Sequence, residues 1–223
     1  MNFKLFIQAI LKFALGVILI GLLIFLPAGT IEFFNGWLFM GVLFVPMFLA
    51  GIVMMIKSPD LLKKRLNAKE KENEQKQVVA LSGLMFIVGF IVAGFNYKYS
   101  WIIMPKPVVI ISTIIFLVGY ALYAEVLKEN QYLSRTIEVQ ENQKVIDIGL
   151  YGIVRHPMYM ATILLFLAMP LVLGSIISFI IFLVYPFIIA KRIKNEEEVL
   201  EKELDGYIEY KKKVKYKMIP FIW

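Results

Sequence analysis

Met158 to Ala190 reads MYMATILLFLAMPLVLGSIISFIIFLVYPFIIA, an apolar block of 33 residues. As one helix rising 1.5 Å per residue it would reach about 50 Å, whereas the hydrocarbon core of a bilayer is about 30 Å thick. A single span does not accommodate it. Gly174-Ser175 interrupts the block near its middle, and a cut there leaves two arms of about 16 residues each. The block is therefore predicted to be a helix–turn–helix hairpin whose two ends lie on the same membrane face. Each arm is slightly short, which places the turn inside the bilayer boundary.

Working outward, four more apolar stretches precede the hairpin: Leu5–Leu26, Trp37–Ile56, Val78–Phe95 and Val108–Ala124. Pro27-Ala28-Gly29 closes the first, and Pro46 marks a kink in the second. The N-terminal stretch carries Lys4 and Lys12 like a signal peptide, but no small-x-small cleavage pattern follows, and it is read as a retained span. Lys57 to Gln77 holds Lys57, Lys63, Lys64, Arg65, Lys69, Lys71 and Lys76 against four acids. It is expected to be a solvated, helical cytoplasmic loop. Tyr97, Trp101 and Pro105 suit an interfacial aromatic belt. The predicted fold is all-α: a polytopic transmembrane bundle of about four spans, the C-terminal hairpin and an amphipathic cytoplasmic tail helix. Residues 1–125 form the N-terminal spans with the basic loop 57–77. Residues 126–223 form a C-terminal unit of cytoplasmic loop, hairpin and tail helix.

Composition agrees. Hydrophobic residues make up 60% of 223 residues and the mean hydropathy is +0.74, against about 45–50% apolar in soluble domains. The net charge of +7 is concentrated in alternate loops. The positive-inside rule then puts both termini and the polar segments 57–77, 125–155 and 191–223 in the cytoplasm. No basic stripe interleaved with aromatics marks a nucleic-acid surface. The chain has no cysteine and one histidine, so thiolate chemistry, disulfides and a histidine-cluster metal site are not expected.

Chemistry-bearing residues cluster at the two ends of the hairpin. Before it stands GLYGIVRHPMY, Gly149 to Tyr159. Pro157 suits the first helical position, with His156 near the cap. A helix N-terminus there, flanked by Arg155 and His156, suits a carboxylate or phosphate. Tyr151 and Tyr159 add aromatic faces for a cation or a purine. After it stands RIKNEEEVL, Arg192 to Leu200. Arg192 and Glu196 are four apart and share a helix face, close enough to the bilayer to be functional candidates. Acids at one pole and Arg/His at the other complement an amino-acid zwitterion. Tyr207 and Tyr210 are expected to pack an amphipathic tail helix against the bundle.

These motifs resemble those of the isoprenylcysteine carboxyl methyltransferase family and the related phospholipid methyltransferases. The carriers are Arg-His-Pro-x-Tyr at 155–159, Arg-Ile-x-x-Glu-Glu-x-x-Leu at 192–200, Leu-x-Gly-Tyr-x-x-Tyr at 204–210 and Ile-Pro at 219–220. The resemblance covers about residues 130–223. It implies S-adenosyl-L-methionine as methyl donor, bound from the cytosol, and a lipophilic acceptor entering from the bilayer among membrane lipids, with no metal and no nucleic acid. Carried over by position, donor binding falls on Gln140, Gln143, Lys144, Val145, Ile146, Tyr151, His156, Pro157, Met158, Tyr159 and Glu196. Arg192 corresponds to the arginine that faces the acceptor, and Arg192 and Glu196 are the expected catalytic pair. The acceptor implied first is an isoprenylcysteine-type carboxylate. A lipid amine is the alternative, followed by a sterol-reductase-like enzyme and a non-enzymatic membrane protein.

Overall fold

A computed structural model of the chain describes residues 3–67, 73–134 and 136–223, the side chains of 73 and 74 excepted. Among these residues the structure is helical, with no strand. The helices are α1 (Phe3–Ala28), α2 (Phe34–Lys57), α3 (Pro59–Leu66), α4 (Asn73–Tyr99), α5 (Lys106–Glu129), α6 (Pro157–Val172), α7 (Ile176–Phe182), α8 (Tyr185–Glu203) and α9 (Tyr207–Lys213). Five stretches are long and apolar enough to cross a membrane: Phe3–Ala28, Phe34–Lys57, Gln75–Tyr99, Lys106–Glu129 and Ile176–Glu203. Large apolar side chains such as Leu11, Leu15, Ile114 and Phe187 point outward and are exposed. So continuous an apolar surface needs lipid around it. The chain is an integral membrane protein.

The hairpin turns where predicted. Gly174 takes φ +78, a left-handed conformation that costs a residue with a Cβ about 1–2 kcal/mol. The Ser175 hydroxyl accepts the Ser178 N–H at 3.2 Å and caps α7. The Ser178 hydroxyl in turn donates to Gly89 O on α4, at 2.8 Å. Asn96 of α4 donates to the carbonyls of Ile102 and Gly174. Polar backbone at that depth is thus satisfied by protein, as a low-dielectric surrounding requires. The first arm, α6, has 16 residues, about 24 Å of rise. The second arm differs from expectation. It continues past Ala190 through α8 to Glu203, and its helix is interrupted at Leu183-Val184, where Pro186 in the first turn of α8 has no N–H to give Phe182.

The other spans outrun their apolar stretches by one to five residues at each end. Hydropathy stops where lipid stops, whereas backbone hydrogen bonding carries the helix on into the interface. The segment 57–77 departs furthest from a solvated loop. Part of it is α3, with Leu61 and Leu62 buried, and part is the start of α4, where Gln75 is wholly buried. Lys69 and Lys71 of that basic stretch lie outside the described residues.

Phe39, Phe116, Phe182 and Ile24 anchor one core that takes side chains from α1, α2 and α4 to α8. α5 and α6 approach closely at Gly119, where a Cβ would come within 2.9 Å of Leu165. Small residues are the usual means of bringing membrane helices together. The bundle has two distinct ends. At one, Tyr97 reaches Glu32 O and Asn96 reaches Gly174 O. At the other, α3, the 130–156 segment and the tail meet.

Candidate functional site

At this second end, α8 brings Arg192 and Glu196 to the same face, one turn apart, and the first turn of α6 places Tyr159 between them. Arg192 Nε donates to the Tyr159 hydroxyl at 2.8 Å, and that hydroxyl donates to Glu196 Oε2. Arg192 Nη1 donates to Gln75 Oε1 at 2.9 Å. Gln75, Arg192, Tyr159 and Glu196 form one continuous polar relay across three helices. Gln75, Arg192 and Tyr159 are buried, and the Glu196 side chain is 24% exposed.

Glu197, the next residue, faces elsewhere. Its Oε1 accepts Arg155 Nε at 2.7 Å and lies 3.2 Å from His156 Nε2. Lys217 Nζ stands 3.5 Å from its other oxygen. Arg155 Nη1 also donates to the carbonyls of Val214 and Lys215, at 2.7 and 2.8 Å. The backbone N–H groups of Arg155 and His156 donate to Tyr216 O and Lys217 O. Arg155 and Glu197 together clamp the tail over the start of α6.

This corrects the expected open anion site. Pro157 does open α6 with His156 as its N-cap. But Arg155 spends its donors on Glu197 and the tail, Pro157 has no N–H, and the Tyr159 and Met160 N–H groups both bond to His156 O. The helix start offers far fewer donors than a free one. His156 instead lies between the two acids, with Nδ1 4.0 Å from Glu196 and its ring stacked on Tyr159 at 5.7 Å.

The 130–146 segment roofs the site. Asn130 donates to the Tyr151 hydroxyl at 3.0 Å. The Glu129 carboxylate accepts the Leu150 N–H, across from Gly149 at φ +57. A Cβ at Gly149 would collide with that carboxylate. The α3 helix secures the roof: Lys64 Nζ donates to Gln140 Oε1 at 2.5 Å and Arg65 to Ser134 O at 3.2 Å.

Roof, α6, α8 and α9 line a cavity that is open at its mouth. Gln143, Lys144, Val145, Ile146, Tyr151, His156, Met158, Tyr159, Arg192 and Glu196 all line it. Two expected positions do not. Pro157 is buried under the helix start, and Gln140 turns its amide to Tyr132 O and Lys64. Sequence reasoning missed the apolar wall of Leu133, Ile137, Leu200 and Leu204, and the polar Glu138 and Tyr207. It also missed Gln75 and Glu197 behind the wall. Of these, Leu200, Leu204, Tyr207 and Glu197 sat inside quoted motifs.

Tyr207 packs with Leu204, Tyr210 and Val214 as expected, yet its hydroxyl is buried with no hydrogen-bond partner. Burial first, then Glu197 and Glu196, pushes this phenol's pKa well up. Burial does the same to Tyr151. Both are neutral hydroxyls at physiological pH. The cavity thus presents a carboxylate, a histidine, a lysine and an unsatisfied phenol beside apolar walls.

The isoprenylcysteine carboxyl methyltransferase (ICMT) family matches residues 108–202, from α5 to the end of α8. Among solved structures, the chain is similar to the eukaryotic intramembrane Ras methyltransferase ICMT, determined without a monobody. Identity is 20%, the TM-score is 0.57, and the alignment covers 92% of this chain and 73% of that one. That likeness is one of fold. No curated protein matches the sequence.

Proposed function

We propose that the chain is a member of the isoprenylcysteine carboxyl methyltransferase family, whose pattern matches residues 108–202, and that it transfers a methyl group from S-adenosylmethionine to the carboxylate of a lipophilic, isoprenylcysteine-type acceptor. One observation carries the reading. Arg192 and Glu196 are linked through Tyr159, so a cation near the lipid-embedded part of α8 and an acid facing the cavity are held at a fixed separation.

The cavity fits the donor. The buried, unpartnered Tyr207 hydroxyl supplies a polar contact that the protein leaves unused, and Glu196 suits an ammonium group. His156, Tyr151, Met158, Tyr159 and the Gln143–Ile146 strip are the further donor contacts, with Gln140 acting through the roof and Pro157 through the helix start. When bound, the donor supplies an electrophilic methyl on a sulfonium, which departs as a neutral thioether. A carboxylate oxygen forms the new C–O bond with its own electron pair, so no proton moves and no general base is needed. The protein's part is alignment, which is worth up to about 7–11 kcal/mol for well-oriented partners. Arg192 holds the carboxylate; Tyr159 keeps Arg192 and Glu196 in register; the Tyr151 and Tyr159 faces favour a sulfonium by about 0.5–2 kcal/mol.

The division of labour follows the same reading: residues 126–223 carry the donor site, and residues 1–125 form the spans past which the acceptor enters. The cavity opens to the cytoplasm. A cationic Arg192 disfavours a lipid amine as acceptor.

The test is a labelled-donor assay on purified protein with an S-prenylated N-acetylcysteine. Base treatment should release methanol from the product, and Arg192→Ala should abolish turnover while leaving donor affinity within about twofold. Base-stable label would overturn carboxyl methylation in favour of N-methylation.

A further inference from the structure

Gln75 lies in the first turns of α4, outside the family-matched stretch. It is wholly buried. Its Oε1 accepts Arg192 Nη1 at 2.9 Å. A guanidinium only donates, so the amide's orientation is fixed by chemistry: oxygen towards Arg192, nitrogen away. That nitrogen, Gln75 Nε2, is buried without a hydrogen-bond partner. Burying an amide N–H2 unpaired is costly, and such a group in a native site calls for an explanation. The two amide heteroatoms share one carbon, which keeps Nε2 close to the Arg192 guanidinium.

We infer that Gln75 is a substrate-binding residue: its Nε2 donates to the acceptor carboxylate that Arg192 holds, making a two-residue clamp that spans α4 and α8. The inference rests on the carboxylate reading of the reaction and deepens it. The N-terminal half then contributes a donor to the acceptor site as well as spans. The clamp also selects. An amide N–H2 and a guanidinium both favour an anion and offer nothing to an ammonium group.

Two substitutions separate this role from simple support of Arg192. Gln75→Glu keeps an oxygen for Arg192, now with charge assistance, but replaces the free donor with a negative charge. Gln75→Met keeps volume and removes both bonds. The assay uses full-length protein and the S-prenylated N-acetylcysteine, with donor affinity by calorimetry as the check on folding. Gln75→Glu should raise the acceptor KM at least about tenfold with donor Kd unchanged, and Gln75→Met should do likewise. Wild-type-like acceptor KM in Gln75→Glu, with a loss in Gln75→Met, would overturn the inference and leave Gln75 as a positioning residue for Arg192. No effect in either variant would overturn it outright. If the wild-type protein forms no base-labile product, the carboxylate reading fails first and the clamp falls with it.

Discussion

Successive residues on α8 point about 100° apart, and at 196–197 that rotation separates two carboxylates. Glu196 faces the cavity, partly exposed, and bonds to Tyr159. Glu197 faces the tail and is buried against Arg155. Their losses should therefore read out differently. Glu196→Ala should weaken donor binding about tenfold or more, the scale of one charge-assisted bond, with thermal stability nearly kept. Glu197→Gln leaves Arg155 buried and uncompensated, which typically costs about 3–5 kcal/mol. It should lower the unfolding midpoint in detergent and loosen the tail, so that trypsin cuts faster at Lys212 and Lys213, which are already exposed. Equal melting of the two variants would sink the distinction. The sequence showed Glu196 through its spacing from Arg192. It did not show Glu197, because a run of three acids reads as a solvated face until the chain segment that covers it is placed. That cover comes from residues 214–217, with Arg155 reaching 42 positions to Glu197. Gln75 was invisible for the same reason, since its partner is 117 residues away.

The hairpin shows which part of an element is local and which is not. An apolar block too long for one span, broken by Gly-Ser, was enough to place the turn. The length of the second arm was not legible, because α8 keeps its helix through charged residues that hydropathy excludes. The turn itself depends on Gly174. Its φ is +78 and a Cβ would come within 2.7 Å of Asn35 Nδ2. Gly174→Ala should destabilise the protein by about 1–2 kcal/mol from the left-handed backbone alone, with more if Asn35 does not give way. Detergent melting curves check this. A midpoint at or above wild type would mean the turn has relaxed to another conformation. Donor affinity should change little, since the turn lies at the end of the bundle away from Glu196. Loss of donor binding ahead of unfolding would contradict that separation.

At the scale of the whole molecule, the basic segments and the cavity fall together at one end of the bundle, while the sparsely charged turns meet at the other. The charge pattern predicted that pairing, and contacts such as Lys64 with Gln140 and Lys213 with Asp147 draw the basic segments together. Which end faces the cytoplasm rests on the positive-inside rule. The absence of cysteine from the chain makes it directly measurable, because a single introduced thiol has no background. Ile103 is 83% exposed in the turn after α4, and Lys212 is exposed on α9 at the cavity end. An impermeant maleimide added to intact cells should label Ile103→Cys and not Lys212→Cys, and permeabilisation should make both react. The reverse pattern would put the cavity outside, where a donor made and kept in the cytosol does not reach it. The methyltransferase reading and the topology would then fall together.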